Sequence, residues 1–136
     1  MKEVIKIKVR GYHLDIYGHV NNARYLEFLE EARWEYFERH NLLEVVAEQK
    51  LAFVLVNINI NYRRPGFPND ILEVHTHTRK VGQRSCIIEQ EIFLEGSDVI
   101  VADAAITFVL MDMESNKAVD ITGPTRDKLE RLTDSH

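Results

Sequence analysis

Apolar and polar positions alternate near the start of the chain, with Ile5, Ile7 and Val9 set against Lys6, Lys8 and Arg10. A period of two turns one face inward and predicts a half-buried strand. After Gly11 the stretch from His13 to Asn22 keeps no clean period and reads as a loop running into a helix. Over residues 23–40 the period lengthens. Tyr25, Phe28, Leu29, Ala32, Tyr36 and Phe37 follow the three-four spacing of one helical face, and Leu26 and Trp34 widen it. Glu27, Glu30, Glu31, Glu35 and Glu38 fall mostly on the other side, with Arg33 and Arg39 among them. So wide a stripe predicts a central helix.

Residues 42–50 allow a second, short helix. From Phe53 the period of two returns, placing Val54, Val56, Ile58, Ile60 and Tyr62 on one face and Leu55, Asn57, Asn59, Asn61 and Arg63 on the other. Pro65, Gly66, Pro68, Asn69 and Asp70 supply turn chemistry. Three more strands are expected over 71–80, 86–94 and 99–111, and a short helix over 125–132. One strand, a long helix and then four antiparallel strands describe an α+β domain. The run from Val101 to Met111 is apolar at nearly every position, which calls for cover on both faces. The helix supplies one cover; a second subunit or a buried loop is expected to supply the other.

Composition narrows the class. A chain of 136 residues without repeats or linkers reads as one domain, 1–136, and 45% apolar with 29% charged residues is ordinary globular material. A net charge of −5 lacks the basic footprint of a nucleic-acid binder. No apolar run is long enough for a membrane span. The alternation at Glu3, Val4, Ile5 and Lys6 has the wrong shape for a signal peptide, and Cys86, the sole cysteine, has no partner for a disulfide. Together these point to a reducing cytoplasm.

The chemistry concentrates between His13 and Leu26. Asp15 stands a few residues before the predicted helix start. A helix N-terminus presents unpaired N–H groups and partial positive charge, able to hold a developing oxyanion beside a carboxylate. Because thiols ionise near pKa ~8.5, the thiolate of a thioester leaves readily without a dedicated proton donor. The arrangement permits thioester hydrolysis without singling it out. His13 and His19 are rival bases, although a His beside Gly is more often a turn residue; His19 is read as shaping the pocket or orienting Asp15. His75 and His77 share a strand face but lack further ligands at metal-binding spacing, and Cys86 in an apolar strand is expected to be inert. Asn57, Asn59 and Asn61 form a polar row assigned no chemistry. Arg63, Arg64, Lys80, Arg84 and Ser85 lie near strand ends or turns, where cations would receive a polyanionic ligand.

The same segment resembles a known family. Asp15, Gly18-His19-Val20-Asn21-Asn22 and Tyr25, followed by residues 28–33 and 57–65, are similar to bacterial acyl-CoA thioesterases, of the long-chain kind, in the hotdog family typified by 4-hydroxybenzoyl-CoA thioesterase. The resemblance implies a long helix wrapped by a curved antiparallel sheet, with subunits joined edge to edge into a dimer and commonly a homotetramer. It implies an active site at the dimer interface and an acyl-CoA substrate. Carried over by position, Asp15 is the catalytic carboxylate and the Asn22 N–H polarises the thioester carbonyl. His19 and Tyr25 contact substrate, and Arg64, Lys80, Arg84 and Ser85 are candidates for coenzyme A, chiefly at the Arg84-Ser85 turn. The sequence departs from the 4-hydroxybenzoyl enzymes at Ile16-Tyr17 and Asn21-Asn22, which argues against an aromatic substrate. No metal or redox cofactor is implied.

The expected activity is hydrolysis of fatty acyl-CoA to free acid and coenzyme A. A non-catalytic acyl-CoA sensor and a hotdog dehydratase are the alternatives. The sensor is disfavoured because the strand pattern already begins by Val4 or Ile5, leaving no basic DNA-binding extension. The dehydratase would need a catalytic His with a carboxylate partner on the long helix.

Overall fold

The computed structural model describes residues 3–133. Its elements, in chain order, are β1 (Glu3–Lys8), α1 (Asn22–Arg39), α2 (Leu42–Glu48), β2 (Leu51–Tyr62), β3 (Ile71–Val81), β4 (Ser85–Leu94), β5 (Ile100–Asp112) and α3 (Gly123–Thr133). A short 3₁₀ turn, Gly11–His13, links β1 to the loop before α1. The strands form one antiparallel sheet in the order β1-β3-β4-β5-β2, so the α+β expectation holds.

The stripe on α1 buries Tyr25, Phe28, Leu29, Ala32, Tyr36 and Phe37. It meets Leu72 and Val74 of β3, Ile88 and Ile92 of β4, and Ile106, Phe108 and Leu110 of β5 in one core. Each large apolar side chain removed from water contributes about 1.5–3 kcal/mol, which makes α1 the centre of the fold. Buried and half-buried positions alternate through the first eight residues of β3 and of β4, as one-sided cover requires.

Two readings need correction. Arg33, grouped with the solvated charges, is buried, with 7% exposure. It follows Ala32 on the covered face, and its Nη1 donates to Gln90 Oε1 at 3.1 Å. Gln90 in turn donates to the Leu29 carbonyl and to Thr76 Oγ1, both at 3.0 Å, so a polar seam crosses the core. The second correction concerns β2. Its register against β5 shifts between Leu55 and Asn57, a bulge at Val56. A bulge puts two residues opposite one and reverses the parity beyond it. Phe53 and Leu55 therefore pair with the buried Leu110 and Phe108, on the face that Ile58 and Ile60 resume, while Val56 is exposed. On β5 the outward Ala105, Thr107 and Val109 are half-buried within the single chain.

Candidate active site

The loop before α1 is closed by a bridge between Leu14 and Val20. Inside it the Asp15 N–H donates to the His19 carbonyl at 2.8 Å, and the Gly18 N–H donates to the Asp15 carbonyl at 3.2 Å. Gly18 sits at φ +77°, a left-handed conformation that glycine adopts without steric cost. The Asp15 carboxylate is fixed by its own loop: Oδ1 accepts from the N–H of Tyr17 at 2.9 Å and of His19 at 3.2 Å. Its other oxygen, Oδ2, has no hydrogen-bond partner among the described residues. One oxygen anchors; the other is free to react.

Asn21 caps α1. Its Oδ1 accepts from the Ala23 N–H at 3.0 Å and its carbonyl from the Arg24 N–H at 2.8 Å. The Asn22 N–H is thus left as the first-turn donor without an acceptor among the described residues, at the positive end of the helix dipole.

The end of β2 builds the opposite wall. The N–H groups of Arg63 and Arg64 both donate to the Val101 carbonyl, at 2.8 and 3.1 Å, and Tyr62 Oη donates to the Asn22 carbonyl at 3.3 Å. Gly66 ties this wall to the loop: its carbonyl accepts from the Val20 N–H at 2.9 Å and its N–H donates to Tyr25 Oη at 2.8 Å. A Cβ at Gly66 would lie 2.9 Å from Val20 Cγ2 and 3.1 Å from Tyr25 Oη, so the approach has room only for glycine. Between the walls lies a cleft of about 480 Å³ lined by Asp15, His19, Asn22, Tyr25, Tyr62 and Arg64. That volume suits a substrate portion.

The structure sorts the expected site residues into two groups. Asp15, His19, Asn22, Tyr25 and Arg64 come together. Tyr25 is almost wholly buried, and burial pushes its phenol pKa up; its hydroxyl is held by Gly66, so it clamps the wall as well as lining the cleft. His19 holds Asp15 through its backbone N–H, while its ring stacks edge-on against Phe67 at 5.1 Å. Arg63 is taken by Asp103, through Nε at 2.9 Å and Nη2 at 3.2 Å, and the pairing holds the Asp103 carboxyl below its usual pKa. Arg64 has no side-chain partner among the described residues and is the cation available to the cleft.

Lys80, Arg84 and Ser85 lie elsewhere. Tyr62 pairs with Ala102 and Ser85 with Val109, seven residues along β5, which spans about 23 Å at the usual strand rise. Arg84 Nε also donates to Asp120 Oδ1 at 2.9 Å. Within one chain that turn does not reach the cleft.

The other candidates are otherwise engaged. His13 is buried, its Nδ1 accepts from the Arg10 N–H at 2.8 Å, and burial followed by the Arg24 charge lowers its pKa. His75 faces Glu73 at 3.4 Å and His77 faces Glu89 at 3.1 Å. Burial pushes the Cys86 thiol up to about 12, which removes its nucleophilic form near neutrality. Among the described residues of the chain, no glutamate of α1 lines the cleft. The sequence reading missed Asn21, Tyr62 and Gly66. An Asn directly before an apolar helical stripe is a readable cap signal; nothing local marks the other two.

The chain is similar to known thioesterases. A family model described as the thioesterase-like superfamily matches residues 9–129. The long-chain acyl-CoA thioesterase FadM of Escherichia coli is 50% identical over 127 residues, covering 93% of this chain and 96% of that protein. The acyl-CoA thioesterase YbgC of Haemophilus influenzae is 31% identical, over 82% of this chain and 83% of its own. Among solved structures, YbaW, a probable thioesterase from Escherichia coli, superposes with a TM-score of 0.90 at 49% identity, covering 96% of this chain and 98% of that one.

Proposed function

Because the chain belongs to the thioesterase-like superfamily, with its hotdog fold, we propose that it hydrolyses long-chain fatty acyl-CoA at the Asp15–Asn22 cleft. One observation carries the reading: a carboxylate anchored through a single oxygen stands in the same cleft as an unpaired helix-start N–H. The thioester carbonyl accepts from the Asn22 N–H, which stabilises the oxyanion as it forms. Asp15 Oδ2 takes a proton from water while the water oxygen adds to the carbonyl carbon. The tetrahedral intermediate expels the coenzyme A thiolate, which takes up the proton and leaves the fatty acid. Direct attack by Oδ2, through an anhydride, uses the same atom and yields the same products.

Arg64 is the first phosphate contact in this scheme; Lys80, Arg84 and Ser85 reach coenzyme A only when a second subunit carries them to the cleft. The edges of the sheet support assembly. β1 is short and carries Lys6 and Lys8, whereas β2 is twelve residues long, holds no charged residue and exposes Leu55 and Val56. Charged residues blunt an edge; an uncharged long edge invites pairing. We assign the dimer to β2 against β2, with tetramers formed from two such dimers. Cytoplasmic residence fits the lone, buried Cys86; no helix of the described residues is long and apolar enough to cross a membrane.

Incubation with a panel of acyl-CoA species, followed by mass spectrometry, tests the reaction. Free acid and coenzyme A, fastest with long chains, are expected. Loss of water from the acyl group, or unchanged substrate, would overturn it.

A further inference from the structure

A second recess lies on the other side of α1's path, between α1, α2 and the first half of β2. Its volume is about 260 Å³, and its walls are Trp34, Phe37, Leu43, Phe53, Leu55 and Phe108, with Glu30 at the rim. Arg33 is the one cation lining it among the described residues. Eleven residues of α1 separate Arg33 from Asn22, about 16 Å of helix, so this groove and the catalytic cleft are distinct within the chain.

Arg33 is more than nine-tenths buried. Gln90 takes Nη1, the Phe108 ring lies 5.9 Å below the guanidinium carbon, and no carboxylate comes within 4.0 Å among the described residues. Glu30 instead accepts from Trp34 Nε1 at 3.4 Å. Nε and Nη2 of Arg33 have no acceptor among the described residues. These two nitrogens keep some contact with solvent and so remain reachable, and a guanidinium is shaped for the two oxygens of a carboxylate. Gln90 is itself saturated by the Leu29 carbonyl and Thr76 Oγ1, so the cation is held ready. One buried cation in an aliphatic and aromatic wall, with Glu30 only at the rim, matches a singly charged head on an apolar tail. Glu30 opposes any anion there, and its repulsion grows with each further negative charge, so a polyphosphate fits worse than a lone carboxylate.

We propose that this groove binds a free fatty acid, its carboxylate on Arg33 and its first methylenes between Trp34, Phe53 and Leu55. The volume is near the ~300 Å³ lower end of ligand pockets, enough for the head and part of the chain. That the occupant is the acid released at Asp15 rests on the hydrolytic reading; the binding itself does not.

Trp34 is the only tryptophan, so its emission reports on the groove. The intact protein is titrated with decanoate and with 1-decanol. Decanoate is expected to bind about tenfold or more tightly than the alcohol, the scale of a charge-assisted pair over a neutral one. Gln90→Glu gives Arg33 an internal carboxylate at nearly unchanged size and should bring the two ligands within about threefold, as should Arg33→Met where it folds. Asp15→Asn should leave decanoate binding unchanged. Equal affinity for acid and alcohol, or a preference that survives Gln90→Glu, overturns the proposal. No turnover is involved, so decanoate binding by a protein inert towards acyl-CoA would sink the hydrolytic reading alone.

Discussion

Replacing Asp15 by Asn separates the two jobs of that carboxylate. Oδ1 accepts two backbone N–H groups, from Tyr17 and His19, and an amide oxygen can do the same. The loop should keep its shape, and Tm should stay within about a degree of the parent, since no hydrogen bond is lost. What disappears is the basic, nucleophilic Oδ2. General-base contributions are typically 10²–10⁴-fold, so kcat should fall at least ~10²-fold, or about 2.7 kcal/mol of barrier. Asp15→Ala also strands the two N–H donors, each partly wet, at roughly 1 kcal/mol apiece. It should therefore lose both turnover and melting temperature. Thiol release from palmitoyl-CoA, followed with a chromogenic disulfide, gives kcat; thermal unfolding gives Tm. An Asp15→Asn enzyme that folds normally and keeps more than a third of wild-type turnover would refute the role assigned to Oδ2.

Tyr25→Phe removes the acceptor for the Gly66 N–H in a buried setting, and an orphaned donor costs about 1–3 kcal/mol, so Tm and turnover should both drop. Unchanged unfolding would mean that the clamp is idle. Arg64→Ala should raise KM by about twofold to fivefold at low salt, with kcat held and the effect shrinking at high salt, because exposed charge contacts are worth ~0.2–1 kcal/mol and are screened. An unchanged KM in 10 mM salt, while Arg84→Ala raises it, would move coenzyme A to the far turn. Val56→Lys puts a charge on the uncharged β2 edge and should yield an inactive monomer by light scattering. A fully active monomer, mutant or wild type, would remove the need for a partner.

The comparison of chain and fold is clearest at two strands. β3 and β4 needed only their alternation, because one face of each is packed and period two records that directly. β2 was misread in its first half. Val54 and Val56 have the same apolar character as Phe53 and Leu55, and only pairing with β5 decides where the extra residue of the bulge sits. Arg33 is the same kind of case. A charge within a run of helix charges reads as solvated until a Gln two strands into the sheet supplies its acceptor.

The sequence alone determined the class of fold, the central helix and the place of the chemistry. These follow from local periodicity and from a short segment whose carboxylate, turn glycine and helix start are neighbours in the chain. Tertiary structure decided the rest. It joined Tyr62, Arg64 and Gly66 to the Asp15 loop, although some fifty residues separate the two segments. It also separated Arg84 and Ser85 from that cleft by the length of a strand and engaged Arg63 and Arg84 with carboxylates. Local pattern records which side of an element is wet. Which cation stays free, and which donor stays unpaired, depends on partners that only the folded chain brings within hydrogen-bond reach.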